Sequence, residues 1–163
     1  MFQLKKISKE SVPVAIEKAE RYRLLNEPSL AESICSDILE VDPQNTRAIV
    51  IALLAITDQF GTSTEEVTKA KQLIPRLSGE YEKQYYSGII CERQGRTIFN
   101  MNKSHGFVAY DWLHDAMEHY EKAEAVRPPG NDDAILRWNT CARLIMRYRL
   151  QPREEEYVEP PLE

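Results

Sequence analysis

Prolines and short polar breaks divide this chain into helix-length apolar segments, and the same two-segment pattern occurs three times in succession. In the first instance one segment begins after Ser11, a break falls at residues 26–28, and the second segment ends before Pro43. Ile34 and Ile38 lie four residues apart in the second segment, so they share one face of a helix. Serine favours the start of a helix, and a proline just past the last turn stops one. The pattern therefore predicts two antiparallel helices joined by a tight turn.

Two further pairs and a final helix follow the same plan. Residues 46–60 are apolar nearly all round at their centre, which predicts a helix that its neighbours cover on most sides. Its partner is shorter and ends at Pro75. The third pair, about residues 80–127, is predicted to be an extended hairpin whose long first helix has its weak point at Gly95. Residues 131–148 are predicted to form the last helix.

The composition supports an all-α fold. Only six of the 163 residues are glycine, 42% are hydrophobic and 29% are charged, which is typical of one globular domain with its own core. We assign residues 1–149 to this domain. Residues 150–163 are predicted to be a flexible, acidic, proline-rich tail, because such a segment buries too little apolar area to order itself. Three widely spaced cysteines, Cys35, Cys91 and Cys141, are predicted to be small core residues.

Charge and hydropathy argue against several classes of function. The predicted tail holds one Arg and five Glu, so the rest of the chain is nearly neutral although the formal net charge is -5. A near-neutral body without a basic stripe argues against nucleic-acid binding. The longest apolar run, residues 48–56, is far shorter than the ~20 residues that cross a membrane. The amino end lacks the pattern of a secretory leader, so we expect a cytoplasmic location.

The spacing of small, bulky and proline residues resembles that of the tetratricopeptide-repeat (TPR) family. The motif positions of the first pair hold Ala19, Tyr22, Ala31, Cys35, Ile38 and Pro43. Those of the second pair hold Leu53, Ile56, Val67, Ala70 and Pro75. In the second half of the third pair the motif positions hold Ala116, Tyr120, Ala123 and Pro128, the last three within the segment HYEKAEAVRP. Small residues at such offsets let two helix axes approach closely.

The resemblance implies a right-handed superhelix of antiparallel helix pairs, here about three pairs plus a C-terminal capping helix. It also implies a concave face that binds a segment of another protein. Some members of the family grip acidic chaperone tails there with Lys and Asn side chains. The matching positions in this chain are Ile16, Glu20, Val50, Leu54, Tyr85, Ile89 and Asn139. Almost none of these residues suits a carboxylate, so we expect that clamp to be absent.

We expect the concave face to hold an apolar or amphipathic protein segment instead. The predicted lining of this groove is Tyr85, Tyr86, Ile89, Arg93, Ile135, Asn139 and Arg143. The simpler alternative is that the apolar members of this set are buried. The function that follows is that of a non-enzymatic adaptor or scaffold with a protein or peptide partner.

The long third hairpin offers a second surface. It carries an unusual number of large apolar residues, namely Phe99, Met101, Phe107, Tyr110 and Trp112. These residues either form an exposed interface or pack on one another and on the last helix. If the hairpin, or the apolar helix at residues 48–56, buries against a second copy, the protein is a homodimer and an assembly subunit.

An enzyme is a third hypothesis. His114 with Glu118, and Asp115 with His119, lie four residues apart, a spacing that can hold a metal ion. Surface pairing in a charged helix explains the same spacing. The isolated glycines form no nucleotide-binding loop. We therefore assign no catalytic residue, no cofactor and no metal, and we expect a protein that is not an enzyme.

Overall fold

The computed structural model describes residues 1–154, and all regular secondary structure within them is helical. The helices are α1 (Val12–Leu24), α2 (Pro28–Val41), α3 (Thr46–Asp58), α4 (Glu65–Leu73), α5 (Glu80–Met101), α6 (Gly106–Ala125) and α7 (Asp133–Tyr148). Short 3-10 turns occupy Lys9–Ser11, Ile74–Arg76 and Lys103–His105. The predicted all-α fold class is confirmed. Two boundaries differ by two residues from the prediction: α3 ends at Asp58 instead of residue 60, and α7 begins at Asp133 instead of residue 131.

The helices begin where the sequence favours a first turn. Pro28 stands at the start of α2, where the backbone N–H that proline lacks has no partner within the helix anyway. Asn45 caps α3, because its side-chain oxygen accepts a hydrogen bond of 3.0 Å from the backbone N–H of Ala48. At the other end of the chain, Arg149 adopts a left-handed conformation with φ of 52°, which ends α7 and turns the backbone.

Consecutive helices pack against one another in series, and α1 also contacts α3, as α3 contacts α5. Three clusters of buried residues follow this order. The N-terminal cluster includes Val12, Ile16, Ala19, Cys35, Ile38 and Ile51. The joining cluster, between α3, α4 and α5, comprises Leu53, Ile56, Val67, Ala70 and Ile90. The C-terminal cluster includes Ile89, Phe99, Leu113, Tyr120, Cys141 and Leu150.

The contact between α5 and α6 is the most extensive in the protein, and two glycines permit it. A methyl group added at Gly88 would lie 2.5 Å from Cε1 of Tyr120, and one at Gly95 would lie 3.0 Å from Cβ of Trp112. Gly95 is the predicted weak point of α5. The helix runs through Gly95 without interruption, because the missing side chain lets α6 approach.

The predicted boundary between domain and tail is wrong by one residue. Leu150 is 6% exposed and belongs to the C-terminal cluster, and its Cδ2 lies next to Gly106 at the start of α6. Its backbone N–H donates to the carbonyl oxygen of Ile145 at 3.0 Å. The turn at Arg149 thus returns the chain to the body for one more core residue. Residues 155–163, which make up most of the predicted tail, lie outside the described residues.

All three cysteines are buried thiols, as predicted. Burial raises the pKa of Cys35 and of Cys141 to about 12, and that of Cys91 to about 11. These values keep the thiols protonated at neutral pH, so they pack as small apolar groups. None of the helices within residues 1–154 is both long and apolar enough to cross a lipid bilayer.

Candidate functional site

The candidate site is the side of the molecule on which α1, α3 and α5 lie next to one another, here called the α1/α3/α5 face. Between α1 and α3 it contains a mainly apolar hollow of about 320 Å³. Leu24, Val50 and Leu54 line this hollow. Arg47 closes its edge by an ion pair with Glu20, with an Nε to Oε1 distance of 3.2 Å. The hollow can hold one apolar side chain of another molecule.

A pair of arginines around one carboxylate bounds the apolar hollow. Asp58, the last residue of α3, contacts Nε of Arg23 from α1 at 2.7 Å and NH1 of Arg93 from α5. The Asp58 side chain is only 20% exposed, so water screens these pairs less than it screens ordinary surface pairs. A carboxylate at a helix C-terminus is unfavourable by itself, and the two cations offset that cost. This bridge holds the three helices in register.

Beyond the bridge lies a polar hollow of about 480 Å³. It exists because α5 is nine residues longer than α3, whose 13 residues end at Asp58. The overhanging part of α5 contributes Arg93, Arg96, Thr97 and Asn100 to its walls. These side chains present several N–H donors and two guanidinium groups. The α1/α3/α5 face therefore combines an apolar hollow and a donor-rich hollow on either side of one bridge.

Beneath this face, a fully buried carboxylate ties α5 to α6 and α7. Glu92 is 0% exposed, and its Oε2 accepts a hydrogen bond of 2.6 Å from the hydroxyl of Tyr120. Its Oε1 accepts from NH1 of Arg137 at 3.1 Å and lies 3.6 Å from NH1 of Arg96. Burial, followed by the nearby Glu92 charge, raises the pKa of Tyr120, which keeps the phenol a donor at neutral pH.

Sequence reasoning missed Glu92 and its partners. Glu92 lies on the buried side of α5 together with Gly88, Gly95 and Phe99. An acid in the middle of an otherwise uncharged helix face is the signal that could have revealed it. The partner Arg137 is 45 residues further along the chain, so no local spacing points to the pair.

The predicted groove residues do not form one surface. Ile89 is 2% exposed and belongs to the C-terminal cluster, and Tyr86 packs against both the C-terminal and joining clusters. Tyr85 stacks with Tyr81 at 5.6 Å between ring centroids. Arg93 lies apart from them, in the bridge to Asp58. The α5 members of the set are therefore divided among core, tyrosine stack and polar hollow.

The α7 members of the predicted groove lie on the wrong side of their helix. A small hollow beside Tyr85 is lined by Leu136, Arg137 and Thr140, not by Ile135 and Asn139. At 100° per residue, Ile135 and Asn139 point well away from that hollow. The reason is that α7 packs through Ala134, Trp138 and Cys141, which turns the Arg137 side towards α5. Arg143 is exposed.

The predicted hairpin interface is mostly covered by its own chain. Phe99 is 6% exposed and lies 4.6 Å from the ring of Tyr148 at the end of α7. Tyr110 and Trp112 pack against the C-terminal cluster, and the guanidinium of Arg153 lies 4.5 Å from the ring of Phe107. Met101, at 52% exposure, is the member of this set that faces solvent. This arrangement matches the alternative prediction, in which these side chains pack on one another and on the last helix.

The helix at residues 48–56 is not available as an interface either. Seven of its nine residues are buried among the neighbouring helices, namely Ala48, Ile49, Ile51, Ala52, Leu53, Ala55 and Ile56. The two exceptions, Val50 and Leu54, line the apolar hollow.

The side chains considered for a metal site do not converge. Nδ1 of His114 lies 3.5 Å from the Glu118 carboxylate on the outside of α6, and the His114 ring stacks on Tyr110. His119 faces α5, where its Nδ1 is 2.8 Å from the side-chain oxygen of Gln84. Among residues 1–154, no three His, Cys, Asp or Glu side chains are grouped so that they could hold a metal ion.

Comparison of this chain with protein-family models, with curated proteins and with solved structures finds no match.

Proposed function

We propose that this protein is a non-enzymatic interaction module of the TPR type, which holds a segment of a partner protein on its α1/α3/α5 face. In this proposal the helix pairs form a right-handed superhelix with that face on the concave side, and the protein acts as a cytoplasmic adaptor. The observation that carries the proposal is the pairing of two open hollows, apolar and donor-rich, on either side of the Arg23–Asp58–Arg93 bridge.

Two features of the packing support the proposal. The helices α1, α3 and α5 lie side by side, as expected when helix pairs stack in one direction. The small motif residues Ala31 and Ala116 are fully buried at helix contacts, as is Tyr120. An extended or helical peptide laid across α1, α3 and α5 would place one apolar side chain in the apolar hollow and a hydrogen-bond acceptor in the polar one.

The test is site-specific photo-crosslinking in cells. A photoreactive amino acid at Val50, inside the apolar hollow, should form a discrete adduct with a partner. The same amino acid at Thr68, an exposed position on α4, should not form that adduct.

A second variant shows whether the adduct depends on the hollow. Leu24 lines the hollow, so Leu24→Glu places a charge at its rim and should abolish crosslinking from Val50. The fold should tolerate the change, because Leu24 is 82% exposed. Leu136→Glu, at a position on α7 that is 62% exposed, is the matched control and should have no effect. Equal adducts at Val50 and Thr68, or a Val50 adduct that survives Leu24→Glu, would refute the proposal.

A further inference from the structure

A further cavity opens where the end of α4 meets α5 and α6, and it shares no lining residue with the two hollows of the α1/α3/α5 face. Its volume is about 390 Å³, within the range of about 300–1,000 Å³ typical of small-molecule sites. We call it the α4–α6 cleft. It is open because α4 has only nine residues and the chain then turns through Ile74–Arg76 towards α5. The middle of α6 is thus left uncovered on this side.

The walls of the cleft are largely apolar. The ring of Trp112 forms part of one side, and Ile74, Pro75 and Ile90 form others. Cys91 also contributes, and its raised pKa makes it a neutral thiol that adds to the apolar lining. A flat apolar body that enters the cleft can therefore contact both an aromatic ring and aliphatic side chains.

Polar groups of two kinds border this apolar space. On the α4 side, the ammonium group of Lys71 lies 5.1 Å from the centroid of the Trp112 ring. On the α6 side are Asp115 and His119. Within residues 1–154, neither Lys71 nor Asp115 has an oppositely charged side chain within salt-bridge distance. Among these residues, a cation without a salt bridge at one side and an acceptor without one at the other thus border the same cavity, and Lys71 makes a cation–π contact with Trp112.

His119 adds a second acceptor. Its Nδ1 lies 2.8 Å from the side-chain oxygen of Gln84, and an oxygen acceptor there requires the proton on Nδ1. Burial, followed by the nearby Lys122, lowers the pKa of His119, so the ring is neutral at pH 7. The other ring nitrogen, Nε2, then carries a lone pair that can accept a hydrogen bond.

We propose that the α4–α6 cleft binds a small aromatic carboxylate that also carries a ring hydroxyl or ring N–H. The carboxylate pairs with Lys71 and draws its ammonium group away from the Trp112 ring, over which it lies in the free protein. The aromatic ring then takes that place against Trp112, and the ring hydroxyl or N–H donates to Asp115 or to Nε2 of His119. This ligand matches the cation, the aromatic wall and the acceptors together. An aliphatic acid lacks a flat face for Trp112, and an aromatic amine lacks the charge that Lys71 pairs with.

The probe for this proposal is para-hydroxyphenylacetate, followed by the indole N–H signals in a proton–nitrogen NMR titration. The chain has two tryptophans, so the spectrum contains two such signals. The Trp112 signal should shift and saturate with a Kd of about 1 mM, a typical affinity for a ligand of this size. The Trp138 indole, which donates to Glu121 at 3.0 Å, should not shift and serves as the internal control.

Variants separate the polar contacts. Lys71→Met should weaken binding about tenfold. The matched control, Lys69→Met on the same helix, should not, because Lys69 pairs with Glu32 away from the cleft. Asp115→Asn should weaken the binding of para-hydroxyphenylacetate but not that of phenylacetate, which lacks the hydroxyl group.

Three results would overturn the proposal. They are the absence of a saturable shift of the Trp112 signal, equal shifts of both indoles, and equal affinities of the Lys71→Met and Lys69→Met variants. An unchanged Trp138 signal shows that each variant is folded. The measurement uses the free protein and needs no partner, so its failure is distinguishable from failure of the crosslinking experiment.

Discussion

At the scale of single residues, Glu92 is a buried carboxylate that depends on the hydrogen-bond donors around it. A carboxylate with no contact with water loses its hydration, and the hydrogen bonds from Tyr120 and Arg137 replace that water. When one donor is removed, the charge is left partly unsatisfied in a medium that cannot compensate.

We therefore expect Tyr120→Phe to lower the free energy of unfolding by about 1–3 kcal/mol. The change leaves the ring in place and removes only the hydroxyl that donates to Glu92. Urea denaturation measures the effect, and Tyr110→Phe at a half-buried position is the control. If the two variants have equal stability, the hydrogen bond to Glu92 contributes nothing.

His119 makes the stability depend on pH. Burial lowers the pKa of His119 below its usual value of 6.5, so the folded state favours the neutral ring more than the unfolded chain does. This contribution is present above about pH 6.5 and is lost as the pH falls through the folded pKa.

The free energy of unfolding should therefore decrease as the pH is lowered from about 7.5 to about 5, and His119→Asn should make that decrease smaller. The urea midpoint measured at both values shows the effect. The parent protein is the reference for this comparison. A pH dependence of His119→Asn equal to that of the parent protein would contradict the assignment to His119.

At the scale of elements, the effect of glycine in α5 is opposite to its effect in an isolated helix. In an isolated helix, Gly→Ala stabilises by about 1 kcal/mol. At Gly88 the added methyl group meets the ring of Tyr120, which is fully buried and held by its hydrogen bond to Glu92. The ring has no room to move aside.

We expect Gly88→Ala to destabilise the protein by about 1–3 kcal/mol despite the gain in helix propensity. Thermal unfolding measures the change. Gly61→Ala is the matched control, since the only atom within 4 Å of the added methyl group there is the backbone oxygen of Gln59, at 3.9 Å. A rise in midpoint for Gly88→Ala would show that α5 and α6 separate easily.

At the scale of the whole molecule, two bodies of helices share a thin junction. The N-terminal cluster belongs to α1, α2 and α3, and the C-terminal cluster to α5, α6 and α7. The joining cluster connects them, and its only member from α5 is Ile90, which is 1% exposed. In proteins built from stacked units, such junctions determine whether the units unfold together.

Ile90→Ala should cost about 2–5 kcal/mol and should uncouple the two bodies. Trp138 on α7 packs against the C-terminal cluster, so its fluorescence in a Trp112→Phe background follows the C-terminal body, whereas far-UV circular dichroism follows all helices. The two urea transitions should coincide in the parent protein and separate in Ile90→Ala. The control is Ile38→Ala, a truncation within the N-terminal cluster. When its two urea transitions are resolved, the midpoint of the fluorescence transition should equal that of the parent protein.

The sequence predicts the helices of this fold well because their ends depend on local chemistry, such as Pro28, Pro43 and Asn45. It predicts the candidate site poorly because sites depend on which helix face turns inward. Ile135 and Arg137 are two residues apart, yet only contacts with α5 and α6 show which of them lines the hollow beside Tyr85. For the same reason, no local sequence pattern reveals the hydrogen bonds that Glu92 accepts from Tyr120 and Arg137.

The three buried thiols make the protein a reporter of its own opening. Cys35 lies in the N-terminal cluster, while Cys91 and Cys141 lie in the C-terminal one. A thiol reagent reacts with thiolate and needs access, and burial denies both to the closed structure. The rate at which each cysteine is labelled therefore measures how often its own part of the chain opens. Local opening at three places can thus be followed in the native sequence, without an introduced probe.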